Sequence, residues 1–223
     1  MFRTPIGLMM LVGLLASPVV LAKTVPVSSP ADLLTALAGA AAGDEIVLAD
    51  GTYPLQQSPK CTASGTATSP IVVRAAHPLQ AKVTFDALEG FHVKGAFWRF
   101  EGLDVRGVCA NDSDCEHAFH VVGAAHDFAL VGCRLVDFNA QLKVNADQGP
   151  GGWLFPHQGR VEGCEVYDSH PRKTANPVTK LNIDTVDGWV VRGNLLYDGH
   201  KDGGNGVSYQ AFQKGGEIGR AHV

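Results

Sequence analysis

Four evenly spaced glycines limit what this chain can become. Gly102, Gly132, Gly163 and Gly193 lie 30, 31 and 30 residues apart. The last three sit in related stretches: Val131-Gly132-Cys133-Arg134-Leu135-Val136-Asp137, Val161-Glu162-Gly163-Cys164-Glu165-Val166-Tyr167-Asp168 and Val191-Arg192-Gly193-Asn194-Leu195-Leu196-Tyr197-Asp198. A weaker copy reads Phe100-Glu101-Gly102-Leu103-Asp104-Val105. A constant period in this range marks stacked repeats. Each copy is a short run of alternating apolar positions, with Leu135, Val166 and Leu196 equivalent, and none has the apolar stripe of a helix. One short strand cannot bury its own face, so the copies must stack on each other. The expected fold is all-β, a right-handed parallel β-helix. An antiparallel sandwich would need hairpin signals between paired runs and leaves the even period unexplained.

Three segments are expected. Residues 1–22 read as a secretory signal, with Arg3 before the apolar run Ile6 to Leu14 and a small-x-small site at Val20-Leu21-Ala22. Residues 23–216 are the β-helix. Residues 217–223 break the pattern and are similar to a translated sequencing adapter, so the chain is read as truncated. The implied location is periplasmic or secreted, with no membrane attachment after signal cleavage, and the protein is expected to be a monomer. A formal net charge of −4 argues against a nucleic-acid partner.

The five cysteines suit an oxidising compartment. Cys109 and Cys115 flank the polar loop 110–114, which points to a local disulfide, with a metal site as the alternative. Cys133 and Cys164 share a register about 4.8 Å apart, within disulfide reach. A buried, unpaired ladder is the equal alternative there, and Cys61 is left over.

Near the N-terminus Ser29 is a helix N-cap and Pro30 the first helical residue, and Leu33, Leu34 and Leu37 make an apolar stripe that Gly43 ends. This single helix reads as the cap of the solenoid. Gly43 to Tyr53, Ile71 to Arg74, Val83 to Phe85 and Phe91 to Val93 follow as short strands. The helix, then GDEIVLADGTY, SPIVVRAA and FHVKGAFWRFEGLDVRG, together resemble the opening of secreted pectin-lyase-like β-helix proteins. Within them the pattern is most similar to polysaccharide lyase family 6, the alginate lyase and chondroitinase B group. The resemblance covers roughly residues 24–105 and is generic β-helix pattern beyond.

Three lysines carry the chemical reading. If the loop at 146–152 is an insertion, Leu142 to Asn145 and Lys180 to Asp184 are one strand on consecutive coils, and Ala211 to Gly215 is a third. Lys143, Lys180 and Lys214 would then form a basic ladder. Cations about 5 Å apart repel by about 1–3 kcal/mol per pair, which lowers lysine pKa values toward those of a useful base and attracts a polyanion. The other reading is a solvated face with Asn145, Asn182 and Asp184 as its polar company. A second register, Asp137, Asp168 and Asp198, suits turn capping, with Ca²⁺ binding or paired glycosidase acids as alternatives. His170, Arg172 and His200 cluster in the adjoining loops, as substrate-binding residues or turn caps.

The family resemblance implies a lysine base on a late coil, an arginine one coil further on and, in many members, a Ca²⁺ held by acidic residues just upstream. Lys214 is the position most similar to that lysine. Val207, Ser208, Tyr209 and Gln210 precede it without an acidic side chain, so Ca²⁺ is left open as a cofactor and no metal ligand is assigned. The expected function is lysine-assisted β-elimination on an acidic, uronate-containing polysaccharide, with Lys214 and Lys180 catalytic. The alternative is a non-catalytic glycan-binding or cell-surface β-helix. Replacing Lys180 and Lys214 with Ala is expected to weaken polyuronate binding and leave the fold intact.

Overall fold

The computed structural model describes residues 23–203 and 207–214. The signal and adapter readings, and Gly215 and Gly216, lie outside the described residues. The chain winds as a parallel β-solenoid with three sheets as its faces. The first sheet stacks Thr24–Val27, Glu45–Leu48, Ile71–Ala75, Trp98–Glu101, Ala129–Val131, Arg160–Glu162 and Val190–Arg192. The second stacks Gly51–Leu55, Ala81–Phe85, Asp104–Gly107, Arg134–Val136, Glu165–Tyr167 and Leu195–Leu196. The third stacks Lys60–Cys61, Glu89–Val93, His117–Val122, Ala140–Asn145, Val178–Asp184 and Ser208–Lys214. All pairing within these sheets is parallel.

The repeat glycines turn the corner from the first sheet to the second. Their φ angles are 62°, 58°, 62° and 64° for Gly102, Gly132, Gly163 and Gly193, a left-handed conformation that glycine adopts without a Cβ penalty. The amides of Gly102, Gly132 and Gly163 each donate to the carbonyl of the next coil, at Val131, Glu162 and Arg192. The corner therefore recurs because each turn templates the next.

Inside, equivalent side chains align in rows. Val83, Val105, Leu135, Val166 and Leu196 are in direct register. Val93, Val121, Val144 and Ile183 form a row on the third sheet. Phe91, Phe100 and Phe119 fill the middle with ring centroids 4.9–5.0 Å apart. The helix Pro30–Ala38 closes the first turn, with Leu33 and Leu37 buried against it. Ser29 caps it by accepting from the Asp32 amide at 3.1 Å, and it ends at Gly39 rather than at Gly43.

Candidate functional site

The outward face of the third sheet carries a continuous row of titratable side chains. Register aligns Lys60 with His92, His92 with His120, His120 with Lys143, Lys143 with Asn182, and Asn182 with Phe212. These are the alternate, outward positions of strands whose inward positions are Phe91, Val93, Phe119, Val121, Leu142 and Val144. The face lies between two sets of loops. The disulfide loop 109–115 enters one end of these strands, and the hairpin of Asp147–Gly149 with Gly152–Leu154 leaves the other. Trp153 on that hairpin is 64% exposed.

Hydrogen bonds bind the row together. Glu89 opens its strand and receives both neighbouring imidazoles: His120 Nδ1 lies 2.6 Å from Oε1 and His92 Nδ1 2.8 Å from Oε2. The bond from His120, reinforced by that from His92 against the opposing cost of burial, holds the Glu89 carboxyl down to about 2. His120 Nε2 faces Asn145 Oδ1 at 2.9 Å. Lys143 Nζ donates to Asn182 Oδ1 at 3.3 Å. Burial lowers the Lys143 pKa, and Lys214 lowers it further while Asp184 opposes.

The three lysines of the expected ladder are on consecutive coils, but not in one row. Lys143 is level with Asn182, and Asp184 with Lys214. Lys180 falls between Thr179 and Leu181, level with Gln141. The loop correction from sequence was thus two residues out of register, which separates the lysines into three rows. Lys180 is also fully buried, paired to the Asp168 carboxylate. Gln141 Nε2 donates to the same carboxylate at 2.7 Å. Burial pushes Asp168 up to about 6 and Lys180 down, because each loses hydration that its partner only partly replaces. Lys180 therefore has no path to a polymer on the surface.

The aspartate register divides similarly. Asp137 accepts from the Ser169 amide at 2.6 Å and hydroxyl at 2.7 Å, which is turn capping. Asp168 is instead the buried partner of Lys180. Arg172 is 2% exposed and points inward. It binds Asp112 Oδ1 at 2.9 Å and Asn139 Oδ1 at 3.2 Å, and its amide donates to His200 O at 2.9 Å. Its burial removes it from substrate contact, and it serves to anchor the disulfide loop. His170 holds the same Asp112 from the surface at 3.1 Å, and His200 is exposed. Cys109 and Cys115 are joined in a disulfide, and Cys61, Cys133 and Cys164 are free and buried.

Sequence reasoning passed over Glu89, His92, His117 and His120. The signal was present: Phe91-His92-Val93 recurs as Phe119-His120-Val121. That repeated tripeptide puts two histidines on one outward row.

No family model and no curated protein matches this chain in sequence. Among solved structures, the alginate lyase from Paenibacillus sp. str. FPU-7 superposes with a TM-score of 0.58 at 18% identity, over 86% of this chain and 75% of that one. The pectate lyase Pel9A gives 0.56 at 17%, over 78% of this chain and 47% of its own. A rhamnogalacturonan lyase gives 0.54 at 18%, over 89% and 63%. The likeness is one of fold. The chain spans three quarters of the first of these and less than two thirds of the other two. Among the described residues, no helix is long and apolar enough to cross a membrane.

Proposed function

We propose that this chain is the substrate-binding part of a polysaccharide lyase acting on an acidic, uronate-containing polymer, and that Lys143 is its proton acceptor. One observation carries the reading: a half-buried lysine on the outward face of a β-solenoid, its pKa lowered by burial against the opposing charge of Asp184. The fold neighbours named above, lyases of alginate, pectate and rhamnogalacturonan, support the substrate class. The exported location proposed from the N-terminal sequence fits a polymer met outside the cytoplasm.

The chemistry requires a base for the C5 proton, a cation for the uronate carboxylate and a proton for the departing oxygen. Neutral Lys143 takes the C5 proton. The C5–H electron pair becomes the C4=C5 double bond as the C4–O bond breaks, and the leaving oxygen is protonated by water or a neighbouring acid. Lys214, level with Asp184 two positions along the face, supplies positive charge for the carboxylate. Asn182 orients the Lys143 amine through its 3.3 Å contact. Asn145 and Asp184 share the row of Lys214, two positions along the same face, and exposed His170 and His200 lie at the loop edge.

The test is to incubate the chain with alginate, pectate and chondroitin and follow the unsaturated uronate product by its ultraviolet absorbance. The Lys143→Met variant should lose about a hundred-fold or more in kcat, the range set by removal of a general base, with binding largely kept. Activity unchanged in Lys143→Met would sink the assignment. Saturable binding without product from any of the polymers would favour the non-catalytic reading, for which exposed Trp153 offers a sugar-stacking surface.

A further inference from the structure

Glu89, His117 and His120 converge at one end of the row described above. Glu89 and His117 are in direct register on adjacent strands, and His120 follows three residues later. Each offers one ligand atom, and these atoms lie within 4.8 Å of one another. The His117 and His120 rings are 5.1 Å apart. The fold has no need of this grouping, since the inward positions beside it are already filled by Phe91 and Phe119.

Two further observations point to a cation. The first is an orphan: His117 Nδ1 is buried and has no hydrogen-bond partner. A buried ring nitrogen without a partner is costly, and a cation bound at that atom would satisfy it. The second is tautomer control of His120. Asn145 Nδ2 donates to Ala146 O at 2.8 Å, which turns Asn145 Oδ1 toward His120 Nε2 at 2.9 Å. Nε2 must therefore carry a hydrogen. In a neutral ring the lone pair is then on Nδ1, the atom facing Glu89.

We propose that Glu89, His117 and His120 form a three-ligand site for a divalent cation of the zinc class. Two imidazoles and one carboxylate are the donors that Zn²⁺, Co²⁺ and Ni²⁺ prefer, whereas Ca²⁺ selects oxygen. Ligand atoms around a tetrahedral Zn²⁺ stand about 3.3 Å apart at its usual bond lengths, so small side-chain rotations close the site. Binding expels to solvent the proton that the 2.6 Å contact between His120 Nδ1 and Glu89 Oε1 holds, as metal ligation requires. Asn145 on His120, and His92 on the second Glu89 oxygen, are the orienting partners such ligands usually have. Three protein ligands leave one position for water or for a hydroxyl or carboxylate of a bound sugar. The site adjoins Lys143 but does not rest on the lyase assignment, because cation binding is measured without polysaccharide.

Co²⁺ titration of the chain, followed by its visible spectrum, tests the proposal. One Co²⁺ per chain is expected, with four- or five-coordinate bands, no thiolate charge-transfer band, displacement by equimolar Zn²⁺ and none by equimolar Ca²⁺. Glu89→Gln and His117→Gln should each bind at least ten-fold more weakly, Asn145→Ala about ten-fold more weakly, and the remote His77→Ala like the parent. Circular dichroism and cation-free melting confirm that each variant is folded. Should His117→Gln not fold, Glu89→Gln and Asn145→Ala still decide. Parent-like affinity in those two, no saturable binding, a thiolate spectrum or equal competition by Ca²⁺ would overturn the site.

Discussion

Lys180 and Lys143 both occupy outward positions of the third sheet, and what covers each decides its role. Lys180 is sealed against Asp168, so removing its amine leaves a buried carboxylate without its cation. Lys180→Ala should cost about 3–5 kcal/mol of stability in urea denaturation. The burial of Lys180 against Asp168 runs against the sequence-based expectation that its replacement leaves the fold intact. A paired Lys180→Met, Asp168→Leu change should recover most of the loss, because two apolar groups need no hydration. Titration at the single-residue scale is clearest at Glu165. Arg134 Nε at 2.6 Å and the Tyr197 hydroxyl at 2.8 Å lower its pKa. A depressed carboxyl stabilises the fold above its unfolded pKa near 4.5 and loses that contribution as pH falls below it. Glu165→Gln should therefore be less stable than the parent at pH 7, the gap closing as pH falls below about 4.5, which denaturation midpoints at several pH values will measure. The pair is about one-third exposed, so solvent screening keeps the effect small.

At the scale of elements, the corner glycines and the close-approach glycines should respond differently to a methyl group. A Cβ on Gly132 or Gly163 would meet no atom within 4 Å. Only the left-handed backbone resists it, at about 1–2 kcal/mol. A Cβ on Gly95 or Gly90 would overlap the backbone carbonyl of Ala63 or Ala118 on the neighbouring coil. Gly132→Ala should thus lower stability by about 1–2 kcal/mol, and Gly95→Ala by clearly more, as read from parallel denaturation curves. Equal losses would show that strand spacing relaxes freely. The period and the apolar rows Val105, Leu135, Val166 and Leu196 were legible in sequence because one corner glycine recurs in each of the four turns from Gly102 to Gly193. The register of the third sheet was not, because loops of unequal length separate its strands. A two-residue slip keeps every side chain on its face, so alternation alone does not reveal it.

Across the whole molecule, one side is tied to the core by Cys109–Cys115, Asp112 and Arg172. Asp112 also accepts from the Lys173 amide at 2.6 Å, so the disulfide loop and residues 170–173 form one wall, with a cleft of about 400 Å³ between them. Closing so short a loop by a disulfide contributes about 2 kcal/mol in the chain-entropy model. Cys109→Ser with Cys115→Ser should lower the melting temperature by several degrees. Limited proteolysis should begin in residues 109–116 while the remaining coils stay resistant. Cleavage beginning elsewhere would mean that Arg172 alone holds the wall. By itself the sequence determined the solenoid, its capping helix, the corner positions and many of the strands, though not Lys60–Cys61 or His117–Val122, because these depend on local conformation and on a period that repeats. Only the tertiary structure decided which polar side chains share a row. It buried Lys180 and Arg172, separated the three lysines, and brought Glu89 to His92, His117 and His120. Those outcomes depend on register between coils and on what the loops cover, and both are set by contacts between residues far apart in the chain.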